Sequence, residues 1–166
     1  MDFPTANGDS VEINKAEPRH FDEILVMVSE FHAIALLPFS ASGTGGALRR
    51  LLDNSNLGFV LFSTKASITT GYILLGFGYS LEFGGRDAFV DELYVRPAHQ
   101  RQGIGTALLL AAERTAAQLG VNALHLESDF DNPGATSLYE SKSYFKHPRL
   151  LMTKWLNVSS DLKAAY

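Results

Sequence analysis

Apolar positions along the chain fall into alternating and helical runs that predict a mixed order of strands and helices. Val11-Glu12-Ile13-Asn14-Lys15-Ala16 alternates apolar and polar residues, the pattern of a half-buried strand. Pro18 then suits the first position of a helix, and Phe21, Ile24, Leu25, Val28 and Phe31 give that helix one apolar stripe for core packing. Residues 33–44, interrupted by Pro38 and ending in small residues, read as a loop whose apolar side chains face a substrate or another chain. A short helix over about Gly45–Leu52 follows. Gly58–Ser63 and Thr69–Ser80 are two strands joined by a turn at Lys65–Ser67. Gly84-Gly85 marks a hairpin into a further strand, Ala88–Val95. A long helix then places Ile104, Leu108, Ala111, Thr115 and Leu119 on one face and stops at Gly120. Asn122–Ser128 is a fifth strand. Asn132 is a good N-cap and Pro133 a good first residue for a last helix carrying Ala135, Leu138 and Tyr139 on one face. Residues 145–156, interrupted by Pro148, are expected to form the final strands.

A chain of 166 residues with 46% apolar and 19% charged residues fits one globular domain, expected over residues 11–156. A flexible N-terminus, 1–10, and a polar C-terminal tail, 157–166, flank it. The net charge of −4 offers no basic surface for nucleic acid. The absence of cysteine excludes disulfides, thiolate metal sites and cysteine nucleophiles. His20, His32 and His147 show no metal-ligand spacing, so no metal is expected. MDFPTANGDS lacks the basic and apolar regions of a signal peptide, and no apolar run reaches the ~18 residues of a membrane span. The expected location is the cytoplasm, with no membrane partner.

The richest stretch is Phe89–Leu119: a strand, a turn at Pro97, the loop Gln100-Arg101-Gln102-Gly103-Ile104-Gly105, and a helix. Glycines at this spacing let backbone N–H groups turn toward a bulky anion, and a helix N-terminus adds its free N–H groups and positive dipole end. The loop is not a P-loop, because no lysine follows Gly105, and not a dinucleotide fingerprint, because position 108 is leucine. What remains is (Gln/Arg)-x-x-Gly-x-(Gly/Ala) after a strand ending Leu-Tyr-Val-x-Pro. A second motif, Asn-Pro-Gly-Ala-Thr-Ser-Leu-Tyr-Glu-Ser-Lys-Ser-Tyr, occupies residues 132–144.

With both motifs in this order, the chain resembles the GCN5-related N-acetyltransferase (GNAT) superfamily over residues 11–156. One departure is Ser143, where the family pattern has a glycine, so a strained or reshaped turn is expected there. The resemblance implies an α/β fold: a mixed, mostly antiparallel sheet of about seven strands flanked by four helices, with the fourth and fifth strands splayed. It implies acetyl-CoA as cosubstrate, its pantetheine arm between those strands against the backbone of Leu93, Tyr94 and Val95. Gln100, Arg101, Gln102, Gly103, Ile104, Gly105 and Thr106 would hold its phosphates, and Asn132 the arm.

The implied reaction is direct attack of a primary amine on the thioester within a ternary complex. The departing thiolate needs a proton, and an amine arriving as ammonium must lose one. Tyr139 matches the family's general acid. Asp91 and Glu92 both stand as candidate bases; adjacent strand residues point to opposite faces unless a bulge intervenes. The pair resembles that of polyamine acetyltransferases, which suggests a small amine or polyamine acceptor. Phe31, Phe39, Phe77, Tyr79, Glu82 and Phe83 supply aromatics and acids suited to a cation. A protein amine remains an open acceptor, and a non-catalytic acetyl-CoA sensor remains the alternative class. Leu150, Leu151, Met152 and Trp155 suit either a buried strand or a homodimer contact.

Overall fold

The computed structural model describes residues 1–4, 10–128 and 131–156. Their strands form one sheet of six, in chain order: β1 (Asp2–Pro4), β2 (Ser10–Lys15), β3 (Gly58–Lys65), β4 (Ile68–Ser80), β5 (Gly85–Val95) and β6 (Ala123–Leu126). Neighbours are antiparallel from β1 to β5, whereas β5 and β6 are parallel. The connections explain this. Tight turns join β3 to β4 and β4 to β5, while a parallel pair needs a crossover, here the helix α3 (Ile104–Gln118).

Helices cover both faces. On one, α1 (Phe21–Ile34) and α2 (Gly43–Asp53) bury Ile24, Met27, Val28 and Leu48 against Val60, Phe62, Tyr72 and Tyr94. On the other, α3 buries Ile104, Leu108 and Leu109 against Phe59, Leu61, Ile73 and Leu75, with Leu138 and Tyr139 of α4 (Pro133–Ser141) packed alongside. Each such aliphatic side chain contributes about 1.5–3 kcal/mol by leaving water. Because β3 is covered on both sides, its residues alternate between two cores and read as one unbroken apolar run, Gly58–Phe62.

Two expectations need correction. The described residues hold five strands plus the three-residue β1, not about seven. Residues 145–156, expected as final strands, contain none. Pro148 removes a ladder donor, and Leu150, Leu151 and Met152 are 70–90% exposed, so no alternating face is buried to hold a strand in register. At the other end, Asp2–Pro4 pairs with Ser10–Glu12, and the Met1 amino group donates to the Ile13 carbonyl at 3.0 Å. The tail expected at 157–166 lies outside the described residues. No helix among the described residues is long and apolar enough to cross a membrane.

Two irregularities shape the C-terminal half of β5. Its pairing with β6 runs only from Asp87–Ala123 to Val90–Leu126, whereas β5 continues to Val95, so residues 91–95 keep an open edge toward β6. Against β4, Leu74 faces Glu92 but Leu75 faces Val90, leaving Asp91 as the extra residue of a β-bulge.

Candidate active site

The bulge resolves the geometry of the two adjacent acids. Val90 and Leu93 pack in the α3 core, while Glu92 and Tyr94 turn to the α1 side, which strict alternation from Val90 would forbid. Glu92 is nearly buried there, its side chain 11% exposed, and both oxygens are occupied. Its Oε1 lies 2.7 Å from His32 Nε2, and Tyr72 donates its hydroxyl to Oε2 at 2.5 Å. Burial first, then the charge of Glu92, push the Tyr72 hydroxyl far above its ordinary range, so it stays an O–H donor. Asp91 differs in each respect. It is exposed, and its carboxylate makes no hydrogen bond or ion pair with another described residue. Desolvation by the protein around it pushes its carboxyl above the ordinary range, opposed by the charge of His32. An adjacent ion pair completes this face: Arg96 donates to both oxygens of Glu30 at 2.8 and 2.9 Å, and to the Thr69 carbonyl at 2.7 Å. Arg96 holds the Glu30 carboxyl below its usual range, and Tyr94 also donates to it.

After β5 the chain makes one turn of 3-10 helix, Pro97–His99, and enters the glycine loop. Gly103 sits at the N-cap of α3 with φ of 84°, and Arg101 also adopts a left-handed φ of 62°. The first backbone bond of α3 runs from the Ala107 N–H to the Gly103 carbonyl at 3.0 Å, leaving the N–H groups of residues 101–106 without a partner among the described residues. Such a run of free donors at a positive helix end suits an anion. The glutamines brace the loop: Gln100 donates to the Val95 carbonyl at 2.9 Å, and Gln102 accepts from Lys65 at 3.2 Å. A side chain at Gly105 would lie 3.8 Å from Val95 and 3.9 Å from Leu138, so the loop, the end of β5 and α4 meet there.

Helix α4 begins as its sequence requires, with the Asn132 side chain accepting from the Ala135 N–H at 3.1 Å and Pro133 next in the chain. Tyr139 is half-buried against the α3 core, its ring 5.8 Å from that of Tyr144. Its hydroxyl bonds to no other described residue, and burial pushes it above the usual tyrosine range. Ser143 takes the left-handed φ of 67° that a glycine would adopt without cost, so the turn keeps a glycine's conformation and the serine carries the strain.

A free-donor loop at a helix N-terminus beside an open strand edge is a general device; its identity comes from the sequence pattern that carries it. The pattern of the acetyltransferase (GNAT) family matches residues 26–144, from α1 through the end of α4. The chain belongs to that family. It is 25% identical over 134 residues to thialysine N-epsilon-acetyltransferase of Caenorhabditis elegans, covering 80% of this chain and 82% of that protein. A mycothiol acetyltransferase of Kineococcus radiotolerans is 40% identical over 68 residues, 41% of this chain and 22% of that protein. Among solved structures, an integron cassette protein from the Cole Harbour Salt Marsh metagenome superposes with a TM-score of 0.79 at 26% identity, covering 90% of this chain and 93% of that one.

In this GNAT acetyltransferase the residues singled out from sequence separate into groups. Asp91, Glu92 and the backbone of Leu93, Tyr94 and Val95 line the bulged, open-edged end of β5, and Gln100–Thr106 comes directly after. Phe31 and Phe39 flank the His32 ring, each 6.0 Å away, next to the acids. The other aromatics and Glu82 lie elsewhere: Phe77 packs on Phe59, Phe83 on His125, and Glu82 pairs with Arg149 at 2.9 Å. Reading by sequence pattern misses His32 and Tyr72 as site residues. A signal exists for His32, which falls four residues after Val28 on the apolar stripe of α1; a histidine facing a core needs a polar partner. Tyr72 carries none, because its partner is set by strand register.

Proposed function

We propose that this acetyltransferase moves the acetyl group of acetyl-CoA to a small primary amine by direct attack in a ternary complex, with Asp91 as general base and Tyr139 as general acid. The observation that carries the base assignment is the contrast between the two acids. Both Glu92 oxygens already hold hydrogen bonds, and a proton already lies in the His32 contact, so accepting another would leave a buried positive charge. Asp91 is exposed, unpaired and shifted upward, so it is the carboxylate of the two that is free to take a proton. In the reaction Asp91 removes one proton from the ammonium, the amine nitrogen attacks the thioester carbon, and the carbon–sulfur bond breaks. Tyr139 gives its proton to the departing thiolate, and the second proton shed by the acylated nitrogen restores the Tyr139 hydroxyl. This leaves neutral amide, free CoA thiol and a protonated Asp91 that returns its proton to water.

The N–H groups of residues 101–106 would receive the pyrophosphate of acetyl-CoA, and the open edge at Leu93–Val95 its pantetheine amides. Phe31 and Phe39, on either side of the His32 ring that holds Glu92, suit an aliphatic ammonium. The thialysine acetyltransferase relative, whose named acceptor carries such an amine, supports the same class. The test is release of free CoA thiol across a panel of amines, with acetyl-CoA binding measured alongside. Turnover with small primary amines is the expected result. Binding without turnover of any amine would remove the proposed chemistry, and absence of binding would remove the loop assignment as well.

A further inference from the structure

The loop between α1 and α2, residues 35–42, carries exposed apolar side chains, Leu36 at 86% and Phe39 at 39%. Leu36 holds a left-handed φ of 55°. Among the described residues, the loop's hydrogen bonds stay local, within residues 31–46, apart from what it gains through His32. That histidine is the exception. Its Nδ1 lies 2.8 Å from the Pro38 carbonyl, which can only accept, so Nδ1 bears a hydrogen. Its Nε2 lies 2.7 Å from Glu92, and one proton occupies that contact whichever partner it is assigned to. The two ring nitrogens therefore join the loop to the bulge that presents Asp91, across sixty residues of sequence. The Phe39 ring meets the same imidazole edge-on, so its placement depends on the same residue.

The geometry points to His32 as a positioning residue that clamps the α1–α2 loop onto the acidic bulge and so sets recognition of the amine acceptor. This rests on the reading of Asp91 as the base. The clamp has two separable arms. One fixes the loop through Pro38. The other fixes Glu92, and its charge also acts on Asp91. The charged and titratable groups around it are Glu92, Asp91 and Tyr94 of β5, Tyr72 of β4, Glu30 of α1, and Arg96 just after β5.

Two substitutions cut one arm each. His32→Gln places an amide nitrogen near Nε2, keeping a donor for Glu92 and losing the bond to Pro38. His32→Asn places one near Nδ1, keeping Pro38 and losing Glu92. Losing the bond to Pro38 should raise the amine KM about 2- to 13-fold in His32→Gln. Its kcat and its KM for acetyl-CoA should stay close to wild type. His32→Asn should keep the amine KM. In both variants the acid limb of kcat/KM should move to higher pH, because the imidazole charge that holds Asp91 down is gone. An unchanged amine KM in His32→Gln overturns the clamp. So does a parallel fall in every constant of both variants, which is what general loss of packing produces.

Nitrogen-15 NMR of the imidazole reads the clamp without turnover. Nδ1 should appear protonated, and Glu92→Gln should shift Nε2 while leaving Nδ1 in place. A bare Nδ1 overturns the clamp even in an inactive enzyme. A wild type that binds acetyl-CoA, shows protonated Nδ1 and acetylates no amine counts against the proposed reaction and supports the clamp.

Discussion

Replacing Tyr72 with phenylalanine removes one oxygen from a fully buried ring and nothing else. That oxygen donates at 2.5 Å to Glu92 Oε2, while the other Glu92 oxygen stays bound to His32. A hydrogen bond to a charged, desolvated acceptor contributes about 1.5–3 kcal/mol, and removing the donor leaves Oε2 buried with an unmet need. For a domain of this length each kcal/mol corresponds to about 2–4 °C, so Tyr72→Phe should lower Tm by ~3–12 °C. Urea unfolding followed by circular dichroism at pH 7 measures the same difference as a free energy. Its pH dependence provides an internal check. The folded Tyr72 hydroxyl is pushed far above the ordinary tyrosine range, by burial first and the Glu92 charge second. A raised folded pKa means that stability is fully present below the unfolded value and declines as pH climbs past it. The wild-type advantage over Tyr72→Phe should therefore be constant from pH 6 to 9 and shrink above about 10, where only the unfolded tyrosine ionises. A variant within about 0.5 kcal/mol of wild type at pH 7, or an advantage that grows above about pH 10, would overturn this account of the Tyr72–Glu92 bond.

Asp91→Asn should lower kcat/KM about 10²- to 10⁴-fold and abolish its acid limb, while Glu92→Gln keeps that limb. The wild-type limb should lie above the ordinary aspartate range, since the base works only when ionised and its pKa is raised. A larger loss in Glu92→Gln than in Asp91→Asn, read from pH–rate profiles, would reverse the assignment. Tyr139→Phe should reduce kcat by about 10²-fold with acetyl-CoA affinity unchanged by calorimetry, and undiminished turnover would remove its role as acid. Gly103→Ala forces a side chain into φ of 84°, a strain of about 1–2 kcal/mol. If the loop answers by turning its N–H groups away, acetyl-CoA should bind about 5- to 30-fold more weakly; equal affinity would mean that Gly103 shapes nothing the ligand touches.

Much of this protein is legible in short windows of sequence. The α1 stripe, the Gly84-Gly85 hairpin, the glycine loop opening α3 and the Asn132-Pro133 start of α4 all stand where residue type and spacing put them, because each rests on contacts within a few residues. Ser143 shows the same locality: one residue out of pattern marks the turn, and the structure holds it in a left-handed φ that strains a serine. The last segment departs from its pattern for a related reason: FKHPRLLMTKWL has enough apolar residues for a strand, but whether they pair depends on a neighbour its own letters do not supply.

Which acid is free, by contrast, is a matter of the whole fold. Asp91 and Glu92 are adjacent and chemically alike, and no pattern around them separates their roles. The separation comes from the register of β5 against β4, which makes Asp91 the bulged residue. It comes equally from His32, sixty positions away, and Tyr72, twenty positions away, which converge on Glu92. Local sequence sets torsion and periodicity, and so the elements. The protonation and availability of a side chain depend on what the fold packs against it, and that is a property of the whole chain.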